Sequence, residues 1–128
     1  MTDIEQSQPT EPILLFDQEG YVSYFATYAS LRREVADEPL ILDEAVAIFD
    51  GQGRRWVART AQGRQFELST VGSGLPRLGD LRRFVAAACR AEGKQAPQDT
   101  DLAGQELLEV ARALDVPRPW RPWRSHRD

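Results

Sequence analysis

Residues 45–70 read AVAIFDGQGRRWVARTAQGRQFELST, and their alternation decides the fold class. Val46 and Ile48 recur at the two-residue period of a strand, so they are expected on one face. Asp50-Gly51-Gln52-Gly53 follows with turn chemistry and two glycines able to take positive φ. Trp56 and Ala58 then share a face, with Arg55, Val57 and Arg59 opposite. After a second turn at Gln62-Gly63, Phe66 and Leu68 continue the apolar face while Glu67 and Ser69 oppose them. This pattern predicts a three-stranded antiparallel meander, with helices on one face and the other largely solvated.

On the N-terminal side, Ile13 to Phe16 reads as a short buried strand. Asp17-Gln18-Glu19-Gly20 is a turn, and Tyr21 to Phe25 has the aromatic content of a hairpin partner. Thr27 is placed to cap a helix with Tyr28, Leu31 and Val35 on one face, and Pro39 ends it. On the C-terminal side, Asp80 is expected to cap a helix carrying Leu81, Phe84, Val85 and Ala88 inward and closing at Gly93. Thr100 or Asp101 opens another, with Leu107, Val110, Ala111 and Leu114 inward, stopped before Pro117. The predicted class is α+β: an N-terminal hairpin and short helix, the meander, and two C-terminal helices packed on the sheet. Its expected core includes Trp56, Phe66, Leu68, Phe84 and Val85. Residues 1–12 read as a flexible arm, 13–116 as one domain, and 117–128 as a Pro/Trp/Arg-rich tail.

The 128 residues carry a net charge of −4, distributed unevenly. Four arginines against one aspartate give residues 117–128 a charge of +3 and leave −7 on the rest. From Glu34 to Gly53 the chain carries Glu34, Asp37, Glu38, Asp43, Glu44 and Asp50 and no Lys or Arg. Such a patch attracts and steers a basic partner, whereas nucleic-acid binding by the body would need clustered cations. The single cysteine excludes an intramolecular disulfide. No apolar run approaches the roughly 20 residues of a membrane span, and no signal-peptide pattern opens the chain. A cytoplasmic location is expected.

Catalytic and cofactor chemistry finds little to stand on. His126 is the lone histidine, near the C-terminus and without partners held around it. Cys89 sits among core-facing helix positions, where a small hydrophobe is the ordinary role. Gly74 and Gly79 have phosphate-loop spacing, but Asp80-Leu81 stands where Lys and Ser/Thr are needed, and Arg77 breaks a dinucleotide fingerprint. Asp50-Gly51-Gln52-Gly53 is too short for a calcium loop. Asp43 and Glu44, adjacent on an expected strand, would point to opposite faces. No cofactor, metal or small-molecule substrate is expected.

The strand Ile13 to Phe16, the helix around Leu31-Arg32-Arg33-Glu34-Val35, and the acids leading into Ala47-Ile48-Phe49-Asp50-Gly51-Gln52-Gly53-Arg54 resemble small bacterial immunity proteins of polymorphic-toxin and contact-dependent inhibition systems. The resemblance covers residues 13–71. It implies a compact cytoplasmic domain, not an enzyme, that binds and neutralises a cognate toxin. The acidic residues Asp37, Glu38, Asp43, Glu44 and Asp50 are then expected to meet a basic protein. An alternative places function in the tail, where Arg118, Trp120, Arg121, Trp123 and Arg124 could contact nucleic acid or an anionic membrane surface. That would make the chain a small regulatory or adaptor module.

Overall fold

The computed structural model describes residues 8–37, 40–60, 66–96 and 104–115. Five strands form one antiparallel sheet in the order β2-β1-β3-β4-β5. They are β1 (Ile13–Asp17), β2 (Val22–Phe25), β3 (Ala45–Phe49), β4 (Arg55–Thr60) and β5 (Phe66–Thr70). Between β2 and β3 run α1 (Tyr28–Asp37) and the short α2 (Leu40–Glu44); α3 (Leu78–Ala91) and α4 (Gly104–Leu114) follow β5. The class is α+β. The expected hairpin and meander are joined in one sheet because β1 pairs with β3 from Leu14↔Phe49 to Asp17↔Ala45.

Every residue of β1 is buried, which requires cover on both faces. Leu14 and Phe16 pack with Ala47 and Phe49 against α3 and α4, through Leu81, Val85, Ala88, Leu107, Ala111 and Leu114. Ile13 and Leu15 face the opposite way and join Ile48, Trp56 and Leu68 beneath Leu31, Val35 and Ile41 of α1 and α2. The expectation of one largely solvated face is therefore corrected. It holds only on the β4–β5 wing, where Val57, Arg59 and Glu67 are exposed. Two apolar residues in succession, repeated along β1, are what a two-sided strand looks like.

A second correction concerns β3. Phe16 pairs with Ala47 and Asp17 with Ala45, so Val46 is an extra residue, a bulge. The bulge breaks the two-residue period, leaving Val46 44% exposed while Ile48 is 3% exposed. The two do not share an environment. Asp43 and Glu44 lie in α2 rather than on a strand, so the argument that they diverge across a sheet does not apply.

Helix ends follow local chemistry. Thr27 Oγ1 accepts the Ser30 N–H at 3.1 Å, and a Glu11 carboxylate oxygen accepts that of Tyr28 at 2.8 Å, so two of the first N–H groups of α1 have side-chain acceptors. At the end of α3, Gly93 takes φ +76° and the Lys94 N–H reaches Cys89 O at 2.8 Å, a Schellman closure. The start of α3 differs from expectation. It begins at Leu78, and Asp80 lies in its first turn, pairing with Arg83 and, at 3.8 Å, with Arg77. A carboxylate there still opposes the positive end of the helix dipole favourably. In α4, Leu108 joins the expected Leu107, Ala111 and Leu114, whereas Val110 is only partly buried. The expected openings at Thr100 and Asp101, and the stop at Pro117, lie outside the described residues.

Residues 8–12, expected within a flexible arm, are tied to the domain. Pro9 is buried, and Gly51 donates its N–H to Thr10 O at 2.6 Å. Of the expected core, Trp56, Leu68 and Val85 are buried, while the Phe66 side chain lies outside the described residues. Phe84 is only partly buried, with its ring 5.2 Å from that of Phe16 and 5.7 Å from that of Phe49.

Phe16 is fully buried at the centre of this aromatic group, so Phe16→Ala should destabilise by about 3–5 kcal/mol. Phe84→Ala should cost less, about 2 kcal/mol, since part of its surface already meets water. Urea denaturation midpoints at constant m-value check the ordering.

Candidate partner-binding surface

The acidic window divides into three environments. Asp37 is exposed at the end of α1, and Glu34 and Glu44 are half-buried, one turn earlier and at the end of α2. Neither helix has a basic residue in its last turn. Carboxylates at a helix C-terminus add to the negative end of its dipole, an unfavourable arrangement left in place at both ends. Glu38 and the Asp43 side chain lie outside the described residues, although the Asp43 main chain belongs to α2. The tail residues Arg118, Trp120, Arg121, Trp123 and Arg124, and His126, also lie outside them.

Asp50 departs from the expected surface role. It is 0% exposed, and its carboxylate gathers five donors. Oδ1 accepts the main-chain N–H groups of Gln52 and Arg54, each at 3.0 Å. Oδ2 accepts Arg54 Nε at 2.9 Å, Trp56 Nε1 at 3.0 Å and the Thr10 N–H at 3.2 Å. The Arg54 guanidinium also lies 5.3 Å from the centre of the Trp56 ring. A buried carboxylate persists only when its acceptor sites and charge are matched, and here both are. Asp50 is thus a structural knot rather than a contact for a partner.

The two glycines beside it allow the knot to close. A Cβ on Gly51 would lie 2.4 Å from Glu11 O, and Gly53 takes φ +80° with Leu78 Cδ2 only 2.7 Å from where its Cβ would stand. The Gly53 carbonyl accepts the Arg77 N–H at 2.8 Å, and Arg54 bridges Pro76. One turn therefore fastens the N-terminal segment, β4 and the entry to α3. The pattern Asp-Gly-x-Gly-Arg-x-Trp contained this signal, but the burial that gives it meaning comes from the second layer of helices.

Beside the acidic end of α2 the sheet opens. The β3–β4 pairing consists of Ile48↔Trp56 and Phe49↔Arg55. Beyond it lies a groove of about 200 Å³, lined among others by Leu42, Ala45, Val46, Val57 and Ala58. Nothing in the sequence marked it, since both flanking strands carry ordinary strand residues.

Burial pushes the Cys89 thiol above its ordinary pKa, with Lys94 and Arg90 opposing the shift. The Tyr28 hydroxyl is also pushed up by burial; Arg32 opposes and Glu67 reinforces the change. Among the described residues, no group of three or more His, Cys, Asp or Glu could hold a metal ion, and no helix is long and apolar enough to cross a membrane. No protein-family model, curated protein or solved structure matches this chain. The fold and this surface define it as a small α+β protein with an acidic helical end beside an open sheet.

Asp50→Ala should destabilise by about 3–5 kcal/mol, because the largely buried Arg54 loses its carboxylate. Asp50→Asn should cost less, since an amide oxygen can still accept from the turn. Chemical denaturation of both variants measures the difference. Cys89, buried and with its thiol pKa raised, should alkylate slowly in the native chain and rapidly in denaturant; iodoacetamide labelling followed by mass spectrometry reads the two rates.

Proposed function

We propose that this protein is an immunity-type inhibitor that binds a basic toxin domain through the acidic ends of α1 and α2. The observation that carries the reading is the placing of carboxylates at helix C-termini whose last turns hold no basic residue. Asp37 is exposed and Glu44 half-buried, and neither last turn contains a cation. A Lys or Arg from a partner would meet the carboxylates at the negative ends of the helix dipoles, relieving an unfavourable local field as it docks. The resemblance over residues 13–71 supports the same reading. Toxin domains that act on polyanions present basic surfaces, and an acidic protein occupies such a surface without reactive groups of its own.

Electrostatic complementarity acts chiefly through encounter, so association should be fast at low salt and slow as ions screen the charges. The test is a protection assay against basic toxin domains drawn from the genes on either side, together with association kinetics of any pair that forms. Asp37→Lys and Glu44→Lys together should lower the association rate by about tenfold or more at low ionic strength and weaken protection, with thermal stability retained. Unchanged rates and protection in a folded double variant would reject the acidic ends as the docking surface.

A further inference from the structure

The groove beside α2 combines an apolar wall with one cation. Val46 and Val57 stand 44% and 43% exposed in it, and Leu42, Ala45 and Ala58 are partly buried. Arg55 is the charged residue among those that line it. Its Nη2 donates to Val46 O at 3.2 Å, so the side chain reaches across from β4 to the bulged part of β3. Glu44, next to Ala45 in sequence, is not among the lining residues.

The guanidinium is held in place but not neutralised. It lies 5.9 Å from the Phe49 ring centre and 5.5 Å from that of Phe84, close enough for cation–π attraction to both. Arg54 pairs with Asp50, and the half-buried Arg77 with Asp80. Arg55 is also half-buried, yet among the described residues no carboxylate lies within ion-pair distance of it. The five N–H donors of a guanidinium form two forks that share Nη2 through different hydrogens. A bond from one of those hydrogens to Val46 O leaves the other fork intact, and such a fork matches a carboxylate bidentately. One carbonyl and two rings thus preorganise a cation at the groove, which lowers the cost of ordering it when an anion binds.

Size narrows the ligand. The groove holds about 200 Å³. An apolar cavity of about 150 Å³ admits benzene, whereas drug-sized ligands occupy pockets of roughly 300 Å³ or more. One ring, or a branched chain of similar bulk, together with a carboxylate falls between these limits. We infer that the groove binds a small monocarboxylic acid with an aromatic or branched aliphatic body. The carboxylate pairs with Arg55, and the body packs against Val46, Val57 and Leu42. This site calls for a charge opposite to that met by the acidic ends of α1 and α2, and it does not rest on the function proposed for them.

NMR titration of the full-length, isotope-labelled chain with sodium benzoate at constant ionic strength tests it. Benzoate should shift the Val46, Val57 and Leu42 methyls and the Arg55 Nε–H resonance along one saturating curve, with a dissociation constant on the order of 1 mM. Benzamide has the same shape without the charge and should bind about tenfold more weakly, since hydrogen bonds to a charged acceptor are the stronger. Acetate, which lacks the ring, and benzylammonium, which reverses the charge, should leave the valine methyls unmoved. Arg55→Met keeps an unbranched stem beside Phe84 and should bind benzoate no better than benzamide. Val57→Phe narrows the groove with Arg55 intact and should abolish the benzoate shifts at Val46. The inference is overturned if benzoate gives no saturating shift in the millimolar range, if benzamide binds the native chain equally well, or if the shifted methyls lie outside the groove. Undiminished benzoate binding by either variant, folded as judged by its spectrum, would also overturn it. The comparison of benzoate with benzamide uses the native chain alone, so it decides the matter even where a variant fails to fold.

Discussion

The carboxylate of Asp50 lies beneath the turn between β3 and β4 and joins Thr10, 40 residues away in sequence, to the turn itself, Arg54 and Trp56. Removing a charge from water is costly, and the cost is met here by five donors, one of them the Arg54 guanidinium, rather than by exposure. Much of the remaining geometry follows. The turn sets the short β3–β4 register, Gly53 receives the chain entering α3 through Arg77, and Gly51 receives the N-terminal segment through Thr10. A side chain at either glycine would collide with backbone or with Leu78, so the knot constrains its neighbours as tightly as its own hydrogen bonds.

Around this fastening, β1 divides the apolar residues between two cores. Its alternate side chains feed α3 and α4 on one face and α1 and α2 on the other. The helices therefore cover both faces at the centre of the sheet and only one face of the β4–β5 wing. The bulge at Val46 lies between these regimes, where β3 passes from the covered centre to the open side. Bulges bend a strand and end its pairing on one edge, and here the result is a groove next to the acidic end of α2.

The charge arrangement has a related logic. Carboxylates at the ends of α1 and α2 do nothing for helix stability, and the two-sided core must offset them. Asp50, from the same acidic window, is the opposite case: a carboxylate placed among donors and withdrawn from solvent. Proximity in sequence and identical chemistry thus conceal two roles, one toward solvent and one toward the fold.

Local patterns in the sequence determined the α+β class, the hairpin at Asp17–Gly20, the Thr27 cap, the Gly93 stop and the inward faces of α3 and α4. Each depends on interactions within a few residues, which composition and periodicity report directly. The two-sided burial of β1, the bulge at Val46 and the burial of Asp50 were decided only by the tertiary structure. Each depends on what arrives from distant sequence: α1 and α2 over one face, β1 beside β3, and Thr10 onto the turn. An aspartate in a turn followed by Arg and Trp reads the same whether exposed or buried, because only packing removes the water that would otherwise satisfy it.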